Sequence, residues 1–281
     1  MKRILVPVDF SPTSVKAFKY AVDLASHTSG NITLYHLYTP EKSTSLGMFQ
    51  NVREYNRQLE INSLKKLQRL KKKVLDNSFN GSVATIVGRT PVVKNILGFA
   101  EDNEMDIIVM GTQGATGLKK ITVGSVAAKI IKSSSIPVLL VPEKFEWKQP
   151  EKIVFTTNFQ NLDKKTLKIV FKLACVYNAL VTLVNLTDSF EHNNNEDKLN
   201  FDRWLLGVQE EFSDCRMHFR QLKTTSIIKT MENLQAEIPY DLLVMARRKL
   251  GVLERLLQKS FTIKMAYVTS QPLLVVPQEE M

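Results

Sequence analysis

The chain has 281 residues, 44% of them hydrophobic and 23% charged, with a net charge of +10. That is length enough for two ordinary domains, each with its own core, and no apolar run approaches the roughly 18 residues of a membrane span. Asp9 ends the first apolar stretch after five residues, too few for a signal-peptide core, so the expectation is a soluble cytoplasmic protein with no membrane partner.

Short apolar, β-branched runs alternate with helical patterns along the chain. The first strand is predicted at Arg3 to Asp9. Ser11 followed by Pro12 starts a helix, because serine caps an N-terminus and proline is preset for the first helical position. A second strand follows at Ile32 to Tyr38. In LKKLQRLKKKVL (Leu64 to Leu75), Leu64, Leu67, Leu70 and Val74 recur at helical spacing and lysines fill the other face. Much of the positive charge sits here: residues 1 to 145 hold 20 Lys+Arg against 11 Asp+Glu, residues 146 to 281 hold 18 against 17. A phosphate-backbone footprint needs basic side chains interleaved with aromatics, or a reading helix. Neither is visible, so the run reads as a solvated helix face and no nucleic-acid partner is expected. Strands at Ser82 to Gly88, Asp106 to Met110 and Pro137 to Val141 complete the set, with a second proline-marked helix start at Thr90-Pro91. DIIVM and PVLLVP are apolar on both faces, as central strands of a parallel sheet covered by helices are. The fold class that follows is α/β with a doubly wound, Rossmann-like parallel sheet.

That plan occurs twice. ILVPVDF (4–10) recurs as IVFTTNF (153–159), and NITLYHLYT (31–39) as LVTLVNLTD (180–188), both at an offset of 149. DIIVMG (106–111) recurs as DLLVMA (241–246), and SSIPVLLVP (134–142) as TSQPLLVVP (269–277), both at 135. Two registers, each kept over two motifs, mark two copies of one domain, residues 1–145 and 150–281, the second shortened in its central loop and helix. The last strands, PVLLVP and PLLVVP, are expected to pair the copies. The join, Glu143 to Glu151, is polar apart from Phe145 and Trp147, which are expected to pack the copies together. Cys175 and Cys215, the only cysteines, lie in apolar-patterned segments and read as buried reduced thiols rather than a disulfide framework.

Four of the chain's 11 glycines fall in MGTQGATGLKKITVGS, Met110 to Ser125, between a strand and the helical VAAKIIK. Glycine costs conformational entropy on folding, so a cluster needs a return, such as close approach of bare backbone to a ligand. A strand, a glycine-rich turn and a helix N-terminus together aim backbone N–H groups at phosphate. Gly111 and Gly114 would let the turn pass close to ribose and phosphate, and Gly124 would leave room at the phosphates. Ser125 and Val126 would supply N–H groups, with the Ser125 hydroxyl beside them. Lys119 and Lys120 either reach phosphate oxygens or are simply solvated. Asp9 at a strand end either bonds adenosine, supports a metal, or forms the turn before Ser11-Pro12.

The spacing Gly111-x2-Gly114-x9-Gly124-Ser125, with VPVDFS (Val6 to Ser11) on the first strand and PVLLVP closing the domain, resembles the universal stress protein family. The whole chain resembles its tandem two-domain members. The resemblance implies an adenine nucleotide alpha hydrolase-like fold, a site holding ATP, with Mg2+ as a possible companion, pairing through the last strand, and a role in stress response without a well-defined reaction. By likeness to ATP-binding members, Pro7, Val8, Asp9 and Leu37 would line the adenosine, and Met110 and Gln113 would flank the ribose.

Catalytic motifs are missing. There is no GxxxxGK[ST] and no GxSxG; His27, His36, His192 and His218 have no metal-ligand spacing with the cysteines, and His36 reads as a core or site-wall residue. No catalytic or metal residue is therefore assigned. In the second copy Gly111, Gly114 and Gly124 become Ala246, Lys249 and Lys259, Asp9 becomes Asn158, and Ser125 persists as Ser260. Arg247, Arg248 and Lys249 read as an exposed cationic loop, or else as a new anion site. The functional expectation is an ATP-binding stress-response regulator, nucleotide in the first domain and the second domain structural or signal-transmitting. The alternatives are a slow Mg2+-dependent ATPase, with Asp9 on the metal, and an interaction protein with an empty pocket. A homodimer is compatible with the chain, and its protein partner is not named by the sequence.

Overall fold

Ile4, Leu5 and Val6 of β1 (Arg3–Pro7) have no exposed surface. A strand apolar on both faces belongs inside a sheet covered on both sides. β1 accordingly pairs in parallel with β2 (Asn31–Tyr38) on one side and β4 (Ile107–Gly111) on the other. β3 (Val83–Arg89) adds beyond β2 and β5 (Val138–Val141) beyond β4, so the order is β3-β2-β1-β4-β5. The connections are α1 (Pro12–Thr28), α2 (Phe49–Val74), α3 (Val92–Asp102) and α4 (Ser125–Ser133).

The structure is a computed structural model that describes residues 1–41, 49–76, 78–112, 124–157, 164–188, 195–224, 227–247 and 270–278. They divide into two units, Met1–Trp147 and Lys148–Met281. The second unit comprises β6 (Lys152–Thr157), α5 (Lys164–Tyr177), β7 (Leu180–Asp188), α6 (Asn195–Glu211), β8 (Met217–Thr224), α7 (Ile227–Glu237), β9 (Leu242–Arg247) and β10 (Leu273–Pro277). Its strands are parallel in the order β10-β9-β6-β7-β8, the same plan as the first unit. The fold is therefore α/β, a doubly wound parallel sheet twice in tandem. The shortening falls where the offset changes: α2 has 26 residues and α6 has 17.

The repeat extends to individual hydrogen bonds. After α1, Ser29 takes a left-handed φ of 50°, the Gly30 amide donates to Ala25 O at 2.9 Å, and the Asn31 amide to Lys2 O. After α5, Asn178 takes φ 50°, the Ala179 amide donates to Ala174 O at 2.9 Å, and the Leu180 amide to Glu151 O. One residue in the left-handed region reverses the chain and satisfies helix-end carbonyls. At the amino ends of the strands, Asp106 Oδ2 accepts from the Lys2 and Arg3 amides at 2.6 and 2.9 Å. Asp241 Oδ2 does the same for the Glu151 and Lys152 amides, both at 3.0 Å.

Burial pushes the Asp106 carboxyl up, but the Arg3 and Lys2 amides, with the N-terminal and Arg3 charges, together more than offset this and hold it below its ordinary value of about 3.9. A depressed carboxyl stabilises the fold above the unfolded value, and that contribution is lost as pH falls through the folded one. Asp106→Asn should therefore cost about 1–3 kcal/mol in urea denaturation at pH 7. The gap from the unsubstituted protein should close as pH falls below about 4. A gap that stays constant with pH would show that the carboxylate charge plays no part.

Several expectations are corrected. Pro91 is the cap before α3, which starts at Val92, because the first helical bond runs from the Asn95 amide to Pro91 O. Leu64 is 36% exposed; the buried stripe of α2 runs through Ser63, Leu67 and Leu70, one residue round the helix. Not all of its lysines are simply solvated: Lys71, half-buried, donates from Nζ to Val83 O at 2.6 Å, and the exposed Lys66 has its Nζ 5.8 Å from the Phe10 ring centroid. Phe145 and Trp147 pack on α1 of their own unit, with ring centroids 6.1 and 4.7 Å from Tyr20, while Lys16 Nζ holds the carbonyls of Glu143 and Phe145. Cys175 is exposed and Cys215 half-exposed rather than buried.

Candidate functional site

The chain leaves β1 to build β2 and β3 on one side, then crosses to build β4 and β5 on the other. Helices leaving adjacent strands in opposite directions open a crevice at the carboxyl ends of β1 and β4. Around that crevice stand Pro7, Val8 and Asp9 after β1, Leu37 late in β2, Met110 and Gly111 at the end of β4, and Gly124, Ser125 and Val126 at the start of α4. Val8 and Met110 are buried, Pro7, Leu37, Gly111, Gly124 and Val126 are half-buried, and Asp9 and Ser125 are exposed. Gln113, Gly114, Lys119 and Lys120 lie outside the described residues.

The turn from β1 into α1 is held by side chains. Asp9 Oδ1 accepts from the Ser11 amide at 3.0 Å and the Ser11 hydroxyl at 2.5 Å, the turn-forming alternative for this carboxylate. Ser11 Oγ in turn accepts from the Ser14 amide at 3.2 Å and caps α1, with Pro12 at the first helical position. Between them Phe10 adopts φ 64°, a conformation that costs a bulky side chain about 1–2 kcal/mol. Its ring lies against His36, centroids 4.6 Å apart, and His36 Nδ1 is 2.7 Å from Val8 O. Burial is the largest influence on His36 and lowers its pKa below the ordinary value, leaving the imidazole neutral at pH 7 and donating to that carbonyl. His36 is thus a wall residue that fixes the path of Val8 to Phe10. Nothing in the sequence marks Phe10 as left-handed, since phenylalanine is not a residue that favours positive φ.

Gly111 has a packing role that the sequence did not mark. A β-carbon placed on it would lie 2.7 Å from Thr13 Cβ and 2.9 Å from the Thr13 carbonyl carbon. The bare α-carbon is needed where β4 meets the first turn of α1, so it serves helix–strand packing. Gly111→Ala should destabilise the protein by about 1–3 kcal/mol in urea denaturation. An unchanged midpoint would mean that the contact relaxes at no cost.

At the other side of the crevice, the Gly124 amide donates to Thr112 O at 2.6 Å, joining the two residues that flank 113–123. Thr112, buried and carried by no sequence motif, sets where α4 begins. Gly124 is the N-cap of α4 with φ −58° and ψ 148°, and among the described residues no side chain caps the helix. The amides of Ser125, Val126 and Ala127 precede the first intrahelical bond, from Ala128 to Gly124 O. Such a terminus carries a partial positive charge and unsatisfied donors, the donor set an anion requires.

With this geometry in place, known proteins bear comparison. The profile described as "Universal stress protein family" matches residues 1–142, half of the chain. The chain belongs to the universal stress protein family. The universal stress protein MJ0577 of Methanocaldococcus jannaschii is 32% identical over 158 residues, which cover 51% of this chain and 96% of that protein. Universal stress protein MJ0531 of the same organism is 30% identical over 145 residues, covering 50% of this chain and 81% of that one. The crystal structure of a universal stress protein from Archaeoglobus fulgidus shares the fold, with a TM-score of 0.67 over 99% of this chain and 96% of that one at 16% identity.

The second α/β unit of the chain departs from the first at the same strand end. Ala246 stands in β9 where β4 has Gly111, and Arg247 where the first unit has Thr112. The Arg247 carbonyl accepts from the Gln278 amide at 2.9 Å, whereas the Thr112 carbonyl receives the amide that begins α4. Arg247 is only 9% exposed, and burial lowers its pKa. It is thus a buried side chain, not part of an exposed cationic loop. Asn158, Arg248, Lys249, Lys259 and Ser260 lie outside the described residues, as does His192. Among the described residues no helix is long and apolar enough to cross a membrane.

Proposed function

We propose that the first unit binds an adenine nucleotide, ATP with or without Mg2+, and that the chain acts as a nucleotide-dependent regulator rather than as an enzyme. The observation that carries this reading is the start of α4: an N-terminus begun by glycine and uncapped by any side chain among the described residues, set beside the β1/β4 crevice by the bond between Gly124 and Thr112. In this reading the Ser125 and Val126 amides and the Ser125 hydroxyl take the phosphates. Gly114 and Gly124 leave the backbone room, and Gly111 brings β4 against α1. Met110 and Gln113 flank the ribose, while Pro7, Val8, Asp9 and Leu37 line the adenosine. Asp9 Oδ1 already accepts two bonds from Ser11, which suits a carboxylate that shapes the adenosine wall. The second unit supports the first or passes on its state.

The test is direct. Freshly purified protein is denatured and the released small molecules are identified by mass spectrometry, and stripped protein is titrated with ATP by calorimetry. An adenine nucleotide in the first experiment, or saturable heat in the second, is the expected result. Neither ligand nor heat would leave an interaction protein with an empty pocket.

A further inference from the structure

A seam joins α5 to the last residue of α6 and the segment that follows it. Lys168 Nζ and Glu211 Oε1 are 3.7 Å apart, the Phe171 and Phe212 rings stack with centroids 4.3 Å apart, and the sulfurs of Cys175 and Cys215 stand 2.6 Å apart. Residues 168, 171 and 175 lie on one face of α5 at helical spacing, and each meets its counterpart in order. The backbone around Cys215 is fixed: its amide donates to Phe212 O at 3.0 Å, the Phe212 amide to Val208 O at 3.0 Å, and the Val181 amide to Arg216 O at 3.0 Å. The Arg216 guanidinium also donates to Asn178 O, just past the end of α5. The two thiols are therefore brought together by packing on both sides, and Cys175 is open to solvent.

We propose that Cys175 and Cys215 form a peroxide-reactive dithiol that closes to an intramolecular disulfide, fastening the end of α5 to the segment leading into β8. The Cys175 sulfur gives up its proton and attacks one oxygen of hydrogen peroxide. The O–O bond breaks, water leaves once the departing oxygen is protonated, and Cys175 carries a sulfenic acid. The Cys215 sulfur then attacks the Cys175 sulfur; the S–S bond forms, the S–O bond breaks, and the hydroxyl leaves as a second water with the Cys215 proton. Two thiols and one peroxide give one disulfide and two waters, with two electrons passing from sulfur to oxygen. The division of labour follows from the surroundings. Burial, then the neighbouring Cys175 sulfur, pushes the Cys215 thiol up to about 12, so it keeps its proton until the second step, while the exposed Cys175 meets the oxidant.

The experiment uses the full chain, reduced and then exposed to hydrogen peroxide. After alkylation of free thiols, intact mass should show no alkyl group and a loss of two hydrogens, and a non-reducing peptide map should join the Cys175 peptide to the Cys215 peptide. The bond spans 40 residues of chain, so the oxidised protein should melt several degrees above the reduced one. In Cys215→Ser, oxidation should stop at a sulfenic acid on Cys175, trapped by dimedone. Thiols that still alkylate after peroxide, or cysteines joined between chains, would overturn the proposal. Equal melting temperatures would overturn the fastening, and a Cys215→Ser protein that gives no dimedone adduct would overturn the order of attack.

Discussion

Gly124→Arg is expected to abolish ATP binding, a loss of at least about a hundredfold or 2.7 kcal/mol, while the ligand-free protein melts almost where it did. Two sides of the structure lead there. On the stability side, φ −58° and ψ 148° suit any residue, the position is half-exposed, and the bond from its amide to Thr112 O involves no side chain. Gly124 caps α4 without a side chain, so no cap bond is lost, and replacing a glycine cap costs on the order of 1 kcal/mol or less. On the binding side, the proposed reading puts the phosphates at the Ser125 and Val126 amides, and a long side chain on the residue that begins α4 would crowd them. The guanidinium is itself attracted to phosphate and can bend away, but its β-carbon stays. Gly124→Ala, which adds only that carbon, should weaken binding by an intermediate amount. Calorimetric titration and thermal denaturation of both variants separate the two sides. Undiminished affinity in Gly124→Arg would sink the assignment of phosphates to this helix end.

The legible part of the fold was carried by residues whose identity dictates backbone or burial. Asp106 and Asp241 head repeated motifs, and each binds two amides of the strand beside it. The apolar runs of β1, β4 and β5 are buried on both faces, as their composition required. Ser11-Pro12 makes the cap that its chemistry favours. The expectations that failed depended on what stands opposite a residue, which periodicity does not encode. Leu64 and Ser63 differ by one step round α2, and only the neighbouring sheet decides which faces inward. Gly111 was legible as a demand for bare backbone, but the packing of Thr13 against it was not. Cys175 and Cys215 lie 40 residues apart, and their pairing depends on the α5 seam. Ser29 and Asn178 share a left-handed φ at equivalent places although neither is glycine, so the repeat is more exact in the backbone than in the side chains.

One ATP per chain is the other large effect expected, with the first unit holding it. A second site would need the same strand end to offer the same bare backbone and the same uncapped helix start. In β9, Ala246 replaces Gly111, and Arg247 replaces Thr112 with a side chain that is almost wholly buried. A guanidinium remains charged even when burial lowers its pKa, and burying it costs energy that has to be offset by partners in the folded protein. That makes it part of the second unit's packing. The carbonyl that receives the amide opening α4 in the first unit is engaged by the Gln278 amide in the second. In sequence, Lys249 and Lys259 stand where Gly114 and Gly124 would leave room, and Asn158 has no carboxylate to match Asp9. A lysine ammonium attracts phosphate, but under the proposed reading a β-carbon at each position would prevent the close approach of backbone on which the first site depends. Calorimetric titration of the full chain with ATP and Mg2+ should give a stoichiometry near one, and Gly124→Arg should remove all of the heat. Two sites of equal affinity, or one full site persisting in Gly124→Arg, would place a working nucleotide site in the second unit.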